Sequence, residues 1–163
     1  MKVDSIIREM ALRFPKIRSG LDVGFMDPEV SEQFRRVRGG VWMTVDKADE
    51  LPYDDAQFDV VVANGEVVSQ VLAREANRVL RPEGCLFFTV SEKTGKQHGY
   101  TPAEIYKMVR EGFDIIALKR PKWWCFGLCG RTITVCARKK AWREHKGFIR
   151  GGSLPFTPFR SRS

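Results

Sequence analysis

The stretch from Leu51 to Val90 decides the fold: LPYDDAQFDVVVANGEVVSQVLAREANRVLRPEGCLFFTV. An acidic turn at residues 54–55 leads into an apolar segment, Phe58 to Ala63, which is typical of a buried strand. A predicted helix follows, and after a turn at residues 81–84 a second apolar strand runs from Cys85 to Val90. The apolar residues expected on one side of the helix are Val67, Val68, Val71, Leu72, Ala76 and Val79. This order indicates a βαβ unit in a parallel sheet.

Weaker signals predict the remaining elements. The predicted helices are Val3–Phe14, Pro28–Val37 and Thr101 to about Glu111, and the predicted strands are Gly20–Gly24, Val41–Val45, Phe113–Leu118 and Thr132–Ala137. Thr101 and Glu104 form a capping box with Pro at the first helical position. The connection from Leu118 to Thr132 is too short for a crossover helix with loops, so the last two strands should be antiparallel.

The length of 163 residues suits one domain. We place that domain at residues 1–140 and a basic, Gly/Pro/Ser-rich tail at residues 141–163. The first residues contain Asp4 and Glu9 and do not resemble a secretory signal. Cys85 and Cys136 lie in strand patterns and are expected to be buried thiols, which predicts a cytoplasmic setting.

The positive charge is concentrated at one end of the chain. Residues 119–163 hold 12 Lys or Arg and a single acid, Glu144, a net charge of +11, whereas residues 1–118 carry −3. Such a segment favours nucleic acid or another polyanion as a partner. A solvated tail without a specific ligand is an equally good interpretation.

The residues from Asp46 to Val90 resemble the class I S-adenosylmethionine-dependent methyltransferases of the small "methyltransferase domain" type. That family has an acidic residue, LPF, an acidic turn, FDVVV, a helix ending in REAxRVLKPGG, and an apolar strand. Here the corresponding residues are Asp46, Leu51-Pro52-Tyr53, Phe58–Val62 and Arg74–Gly84. The resemblance implies a three-layer Rossmann-like α/β sandwich with a mostly parallel sheet, an antiparallel edge, and S-adenosylmethionine as cofactor.

The resemblance also implies cofactor-binding residues: Asp22, Gly24, Asp46 and Asn64. The family loop reads roughly LDxGCGTG, whereas this chain has Phe25-Met26-Asp27-Pro28 after Gly24. We expect Phe25 and Met26 to fill space meant for the amino acid part of the cofactor, so that affinity is weak or absent. Asp46 could instead cap a turn.

The chain is also shorter than the family pattern. Only 21 residues separate Gly24 from Asp46, which accommodates one helix and one strand. We therefore expect about six strands, with one strand–helix unit missing and Val41–Val45 beside the first strand. The methyl acceptor and the catalytic residues cannot be read from the sequence. Glu66 is a possible general base or a helix-terminal acid, and His98 is more simply a solvated loop residue.

The segment from Lys122 to Arg131 contains Trp123, Trp124, Cys125 and Cys129. One cysteine pair without a nearby His does not predict a metal site. The tryptophans could pack on the sheet, or contact a protein, a membrane surface or nucleic-acid bases. Two functions therefore compete: a methyltransferase of unknown substrate, and a catalytically inactive methyltransferase fold that serves as a binding or regulatory module.

Overall fold

The computed structural model describes residues 4–46, 49–95, 98–120 and 131–141. Its elements are α1 (Asp4–Arg13), β1 (Ser19–Val23), α2 (Pro28–Arg38), β2 (Val41–Val45), β3 (Phe58–Asn64), α3 (Gln70–Val79), β4 (Leu80–Ser91), α4 (Pro102–Val109), β5 (Phe113–Lys119) and β6 (Thr132–Lys139). The predicted tail beyond residue 141 and the segment with Trp123, Trp124, Cys125 and Cys129 lie outside the described residues.

The strands form a six-stranded sheet in the order β2-β1-β3-β4-β6-β5. The first four in this order are parallel, and β6 runs antiparallel to both β4 and β5. Val41–Val45 pairs in register with Ser19–Val23, so β2 lies directly beside β1. The predictions of about six strands and an antiparallel edge are confirmed.

Helices cover both faces of the sheet and bury two apolar clusters. Successive residues of a strand point to opposite faces, and β3 therefore contributes Val61 to one cluster and Val60 to the other. The first cluster lies under α3 and α4. The second lies under α1 and α2 and includes Phe34 stacked on Trp42, with ring centroids 5.3 Å apart. The result is the predicted three-layer arrangement.

The helix inside the βαβ unit starts later than the sequence suggested. Ser69 caps its amino terminus, so Val67 and Val68 precede the helix. The prediction that Val71 faces the core was wrong, because 47% of this residue is exposed. Ala73 takes a buried position instead. The buried residues Leu72, Ala73, Ala76 and Val79 define one face at helical spacing, and Val71 lies outside that face.

Residues 81–84, where the sequence predicted a turn between α3 and a strand starting at Cys85, belong to β4 instead. Leu80 pairs with Phe58, and the next pairing joins Cys85 to Val60, so extra residues of β4 bulge out of the ladder. Glu83 in this bulge has a φ of 65°. The bulge thus uses a left-handed conformation at a position where the family pattern has glycine.

Cys85 and Cys136 are free and buried, as predicted. Both belong to the cluster under α1 and α2. Among the described residues, no helix has the length and apolar character needed to cross a bilayer.

Candidate functional site

The carboxyl ends of β1, β2 and β3 meet at one edge of the sheet, and the four residues predicted to bind cofactor lie there. Asp22 is the penultimate residue of β1, and Gly24 follows that strand. Asp46 follows β2, and Asn64 ends β3. In open parallel sheets, ligands bind outside the carboxyl ends of the strands. The fold therefore brings all four residues to the expected place, although they are far apart in the sequence.

Asp22 is buried, and its carboxylate forms hydrogen bonds with the loop after β1 and with α2. Its carboxylate accepts a hydrogen bond from the Ser31 hydroxyl at 2.6 Å and from the Phe25 backbone N–H at 3.4 Å. Burial raises the pKa of Asp22 above its ordinary value, although these two hydrogen bonds act in the opposite direction. Because its oxygens are directed to Ser31 and Phe25, we assign Asp22 to positioning the loop.

Gly24 begins the loop after β1, at a point where Val45, Asp46 and Val67 lie close to its backbone. It has a φ of 80°, and a Cβ there would lie 2.9 Å from the Val67 methyl groups and 3.3 Å from the Asp46 carbonyl oxygen. Its N–H donates to the Val45 carbonyl at 2.8 Å. The Asn64 amide donates to the Gly24 carbonyl at 3.1 Å. β1, β2 and β3 therefore all hold Gly24 in place, and only glycine fits without strain.

The loop from residue 25 to 28 differs from the family sequence pattern in its side chains. Met26 adopts a φ of 50°, a left-handed conformation that glycine takes easily, and 57% of it is exposed. The Phe25 side chain, which we expected to fill space meant for the cofactor, is half-buried against the cluster under α1 and α2. Its ring packs edge-on against Phe34 at 5.7 Å, with the cluster under α1 and α2. An aromatic ring reaches that apolar cluster more favourably than the polar strand ends.

The amino terminus of α2 faces the end of this loop and already has an acidic cap. The Asp27 carboxylate accepts a hydrogen bond from the Glu29 N–H at 2.9 Å, and Pro28 occupies the first turn. A helix amino terminus attracts anions through its free N–H groups. Here Asp27 supplies the negative charge itself, and Pro28 contributes no N–H.

Asp46 is exposed and available to a ligand, whereas Asp22 is buried. Asp46 follows β2 directly, and its backbone carbonyl lies close to Gly24. Among the described residues, no hydrogen bond or ion pair engages its carboxylate. An unengaged acid at the carboxyl end of a strand can accept hydrogen bonds from sugar hydroxyl groups.

A charged clamp from α3 fixes the connection between Asp46 and β3. Glu75 accepts the Leu51 N–H at 2.9 Å, while Arg78 donates to the carbonyls of Leu51 and Tyr53 at 2.9 and 2.7 Å. Arg78 also pairs with Glu75 at 2.7 Å and with Asp55 at 2.9 Å. The hydrogen bond from Arg78, more than burial, sets the pKa of Glu75 and lowers it. The clamp explains why the helix reads Arg-Glu-Ala-Asn-Arg.

The acceptor side of the site is less defined. Glu66 is exposed, and its N–H donates to the Asn64 side chain at 3.3 Å. His98 is also exposed in the loop that follows β4. Within the described part of the chain, the Glu66 carboxylate and the His98 ring form no hydrogen bond or ion pair with the other predicted site residues. The geometry therefore assigns no catalytic residue.

These residues fit S-adenosylmethionine in part. The backbone around Gly24 and the carboxylate of Asp46 are suited to the methionine and ribose parts of such a ligand, whereas Met26 and Asp27 oppose it. Sequence reasoning missed Ser31, Val67 and the Glu75–Arg78 clamp. Of these, only the clamp could have been predicted from the sequence, because Glu75 and Arg78 are three residues apart and therefore share one face of the helix.

Residues 20–88 match the family model described as "Methyltransferase domain". A search of curated proteins gives no significant match. Solved structures with the same fold include the 1,6-didemethyltoxoflavin-N1-methyltransferase of Burkholderia thailandensis, which holds 1,6-didemethyltoxoflavin and S-adenosylhomocysteine. Its TM-score is 0.67 at 15% identity, over 85% of this chain and 78% of that one.

A second similar structure is a S-adenosylmethionine-dependent methyltransferase of Methanosarcina mazei. Its TM-score is 0.57 at 14% identity, over 83% of this chain and 97% of that chain. The PH0226 protein of Pyrococcus horikoshii has the same TM-score at 12% identity, over 85% of this chain and 90% of that one. The family-model match agrees with the resemblance that the sequence predicted, and these structures show that the chain has the same fold.

Proposed function

We propose that this protein binds S-adenosylmethionine weakly at the carboxyl ends of β1, β2 and β3, and transfers its methyl group to an acceptor of unknown identity. The observation that carries the proposal is the arrangement around Gly24. Three strands hold this glycine, and the backbone carbonyl of Asp46 lies close to it; the Asp46 side chain is exposed, with no hydrogen bond or ion pair to its carboxylate among the described residues. The family match over residues 20–88 supports the same cofactor.

Each residue has a distinct task in this proposal. The backbone around Gly24 would meet the methionine part, and Asp46 would accept hydrogen bonds from the ribose hydroxyls. Asp22 and Asn64 would position the loop rather than bind the ligand, because the Asp22 carboxylate and the Asn64 amide already form hydrogen bonds within the protein. When bound, the cofactor supplies a methyl group on a sulfonium, and the protein contributes mainly by orienting the acceptor.

Weak affinity follows from the two residues after Phe25. The Met26 side chain projects from a position suited to glycine, and Asp27 places a negative charge at the helix terminus. The cofactor's own carboxylate would meet that charge, and the two would repel each other. Pro28 removes one N–H that could have bound the ligand.

The alternative is an inactive methyltransferase fold that serves as a binding module. The loop side chains favour it, and so does the net charge of +11 over residues 119–163. Under this alternative, contacts with a polyanion, a membrane surface or a protein would involve the basic segment and Trp123 and Trp124. A cytoplasmic setting belongs to both versions, and the free thiols of Cys85 and Cys136 support it.

Calorimetric titration with S-adenosylmethionine and S-adenosylhomocysteine tests the proposal. Asp46→Ala should weaken binding by about tenfold, which corresponds to about 1.4 kcal/mol. Asp114→Ala is the matched control, because it removes the same charge from an exposed position on β5. Absence of any binding by the unmodified protein would favour the inactive module. Equal effects of the two substitutions would remove Asp46 from the site.

A further inference from the structure

The strand β2 forms one edge of the sheet and lacks the features that usually protect an edge. Its five residues, Val41–Val45, contain no charged side chain and no proline. All five pair with β1 without a bulge. An unprotected edge presents free backbone N–H and C=O groups that can pair with another strand.

The opposite edge of the sheet, β5, has features that discourage pairing with another strand. β5 carries Asp114 and Lys119 within its span, and both are exposed. Its pairing with β6 also shifts register between Ile115 and Ala117. Charged residues and irregular pairing at an edge discourage strand addition. Within the described residues, the β5 edge therefore has protective features and the β2 edge has none.

One face of β2 is apolar and uncovered among the described residues. Trp42 points to the cluster under α1 and α2, whereas Val41 and Met43 point to the other face. Val41 is 64% exposed and Met43 is 38% exposed. The helices α3 and α4 pack farther along the sheet, on the cluster that includes Leu21 and Val23. Pairing this edge would remove apolar surface from water.

The charges at the two ends of β2 determine which partner and which direction fit. The last turn of α2, before the strand, carries Arg35, Arg36 and Arg38. After the strand, residues 46–50 contain Asp46, Asp49 and Glu50 with one lysine between them. A second copy that pairs antiparallel places its acidic end beside the basic end of the first. A parallel copy would place like charges together.

The alternation of side chains fixes the register. Residues opposite each other in an antiparallel pair must point to the same face of the sheet. Pairing Met43 with its own copy satisfies this rule and matches all five residues, with Val41 opposite Val45. Trp42 then lies opposite Thr44 on the covered face.

We propose that two copies of this chain pair antiparallel along β2, about a two-fold axis at Met43, and form one continuous twelve-stranded sheet. The contact is isologous, as in most homodimers. Five residue pairs make a small interface, so association is concentration-dependent and reversible. The inference uses the edge and its flanking charges, of which Asp46 is also assigned to the proposed cofactor site; sedimentation without cofactor tests it separately from cofactor binding.

Sedimentation velocity from about 5 to about 500 µM tests the association, a range in which small interfaces dissociate measurably. The unmodified protein should shift from monomer to dimer. Met43→Lys places two positive charges face to face and should give monomer throughout. Val71→Lys is the matched control, since it adds the same charge at an exposed apolar position on α3, and it should dimerise normally. A monomeric unmodified protein, or a dimer that Met43→Lys leaves intact, would overturn the proposal.

Cross-linking tests the register and remains informative if Met43→Lys fails to fold. In a Cys125→Ser, Cys129→Ser background, Met43→Cys should form a disulfide-linked dimer when diamide accepts the two thiol hydrogens. Opposed residues are close enough for this bond. Val41→Cys should not cross-link, because its two copies would lie more than about 13 Å apart. Equal cross-linking of the two variants, or of neither, would show that the strands do not pair as proposed.

Discussion

At the scale of single residues, two non-glycine side chains occupy left-handed backbone at positions where the family pattern has glycine. Met26 has a φ of 50° in the loop after β1, and Glu83 has a φ of 65° in the bulge of β4. Left-handed backbone favours glycine, so each of these side chains adds local strain to its turn.

Glu83→Gly should stabilise the protein by about 0.5–1 kcal/mol, because glycine adopts this φ without strain. The ion pair lost with Arg138 is long, at 3.7 Å, and exposed, so its removal costs little. Urea unfolding measures the change. Glu83→Ala is the control, since it removes the same side chain but keeps the Cβ. A similar gain for both variants would show that the side chain, and not the backbone, is responsible.

At Gly65, by contrast, the neighbouring strand leaves no room for a side chain. A Cβ there would lie 2.0 Å from the Thr89 carbonyl oxygen of the neighbouring strand. Gly65→Ala should therefore destabilise the protein by about 2 kcal/mol or more, since strand backbones would have to separate. Gly95→Ala is the control for a glycine without crowding: nothing lies within 4 Å of its Cβ, and its φ of 55° should limit the loss to about 1 kcal/mol of backbone strain. A similar loss in both variants would show that crowding is not the cause.

At the scale of elements, the Glu75–Arg78 clamp links α3 to the connection that follows Asp46. The hydrogen bond from Arg78 lowers the pKa of Glu75 below its ordinary value of 4.5. A lowered folded-state pKa gives stability that is present above the unfolded value and is lost as pH falls through the folded value. The clamp should therefore weaken in acid.

Glu75→Gln should lower the free energy of unfolding at pH 7, and the difference from the unmodified protein should shrink as the pH falls below about 4.5. Denaturant unfolding between pH 7 and pH 3 measures this. Glu32→Gln is the control, because Glu32 pairs only with exposed arginines on its own helix. A difference for Glu75→Gln that stays constant with pH would contradict the clamp's charged character.

The elements were largely predictable because their signals are local. Hydrophobic runs located all six strands, and the capping box at Thr101 located α4. The exact start of α3 was not predictable. The apolar spacing favours a helix that already includes Val67 and Val68, whereas the Ser69 hydroxyl caps the helix and makes it begin at residue 70. At the site, the sequence motif located Gly24 and Asp46. It could not reveal that Phe25 turns toward Phe34, since that depends on a contact with α2.

At the scale of the whole molecule, the basic C-terminal segment stays a prediction, because residues 142–163 lie outside the described part of the chain. We propose that its net +11 over residues 119–163 gives salt-sensitive attachment to polyanions. Binding of labelled single-stranded RNA and of anionic vesicles should fall sharply between about 50 and about 200 mM salt.

Removing residues 141–163 should abolish most of that salt-sensitive part. Substituting Trp123 and Trp124 by Ala should reduce only a salt-resistant part, because stacking does not depend on counterion release. Circular dichroism of each variant confirms that the domain remains folded. Lack of binding to either polyanion at low salt would leave the segment as a feature that aids solubility.

The central claim is that the loop after β1 keeps the backbone of a cofactor loop while its side chains weaken binding. Calorimetric titration of S-adenosylhomocysteine into the double variant Met26→Gly, Asp27→Thr, beside the unmodified protein, tests this most directly. Threonine retains a cap for α2 without the charge, so the helix should be preserved. The account predicts weak binding by the unmodified protein and binding at least about tenfold tighter by the double variant. Equal affinity of the two proteins, or no binding by either, would contradict it.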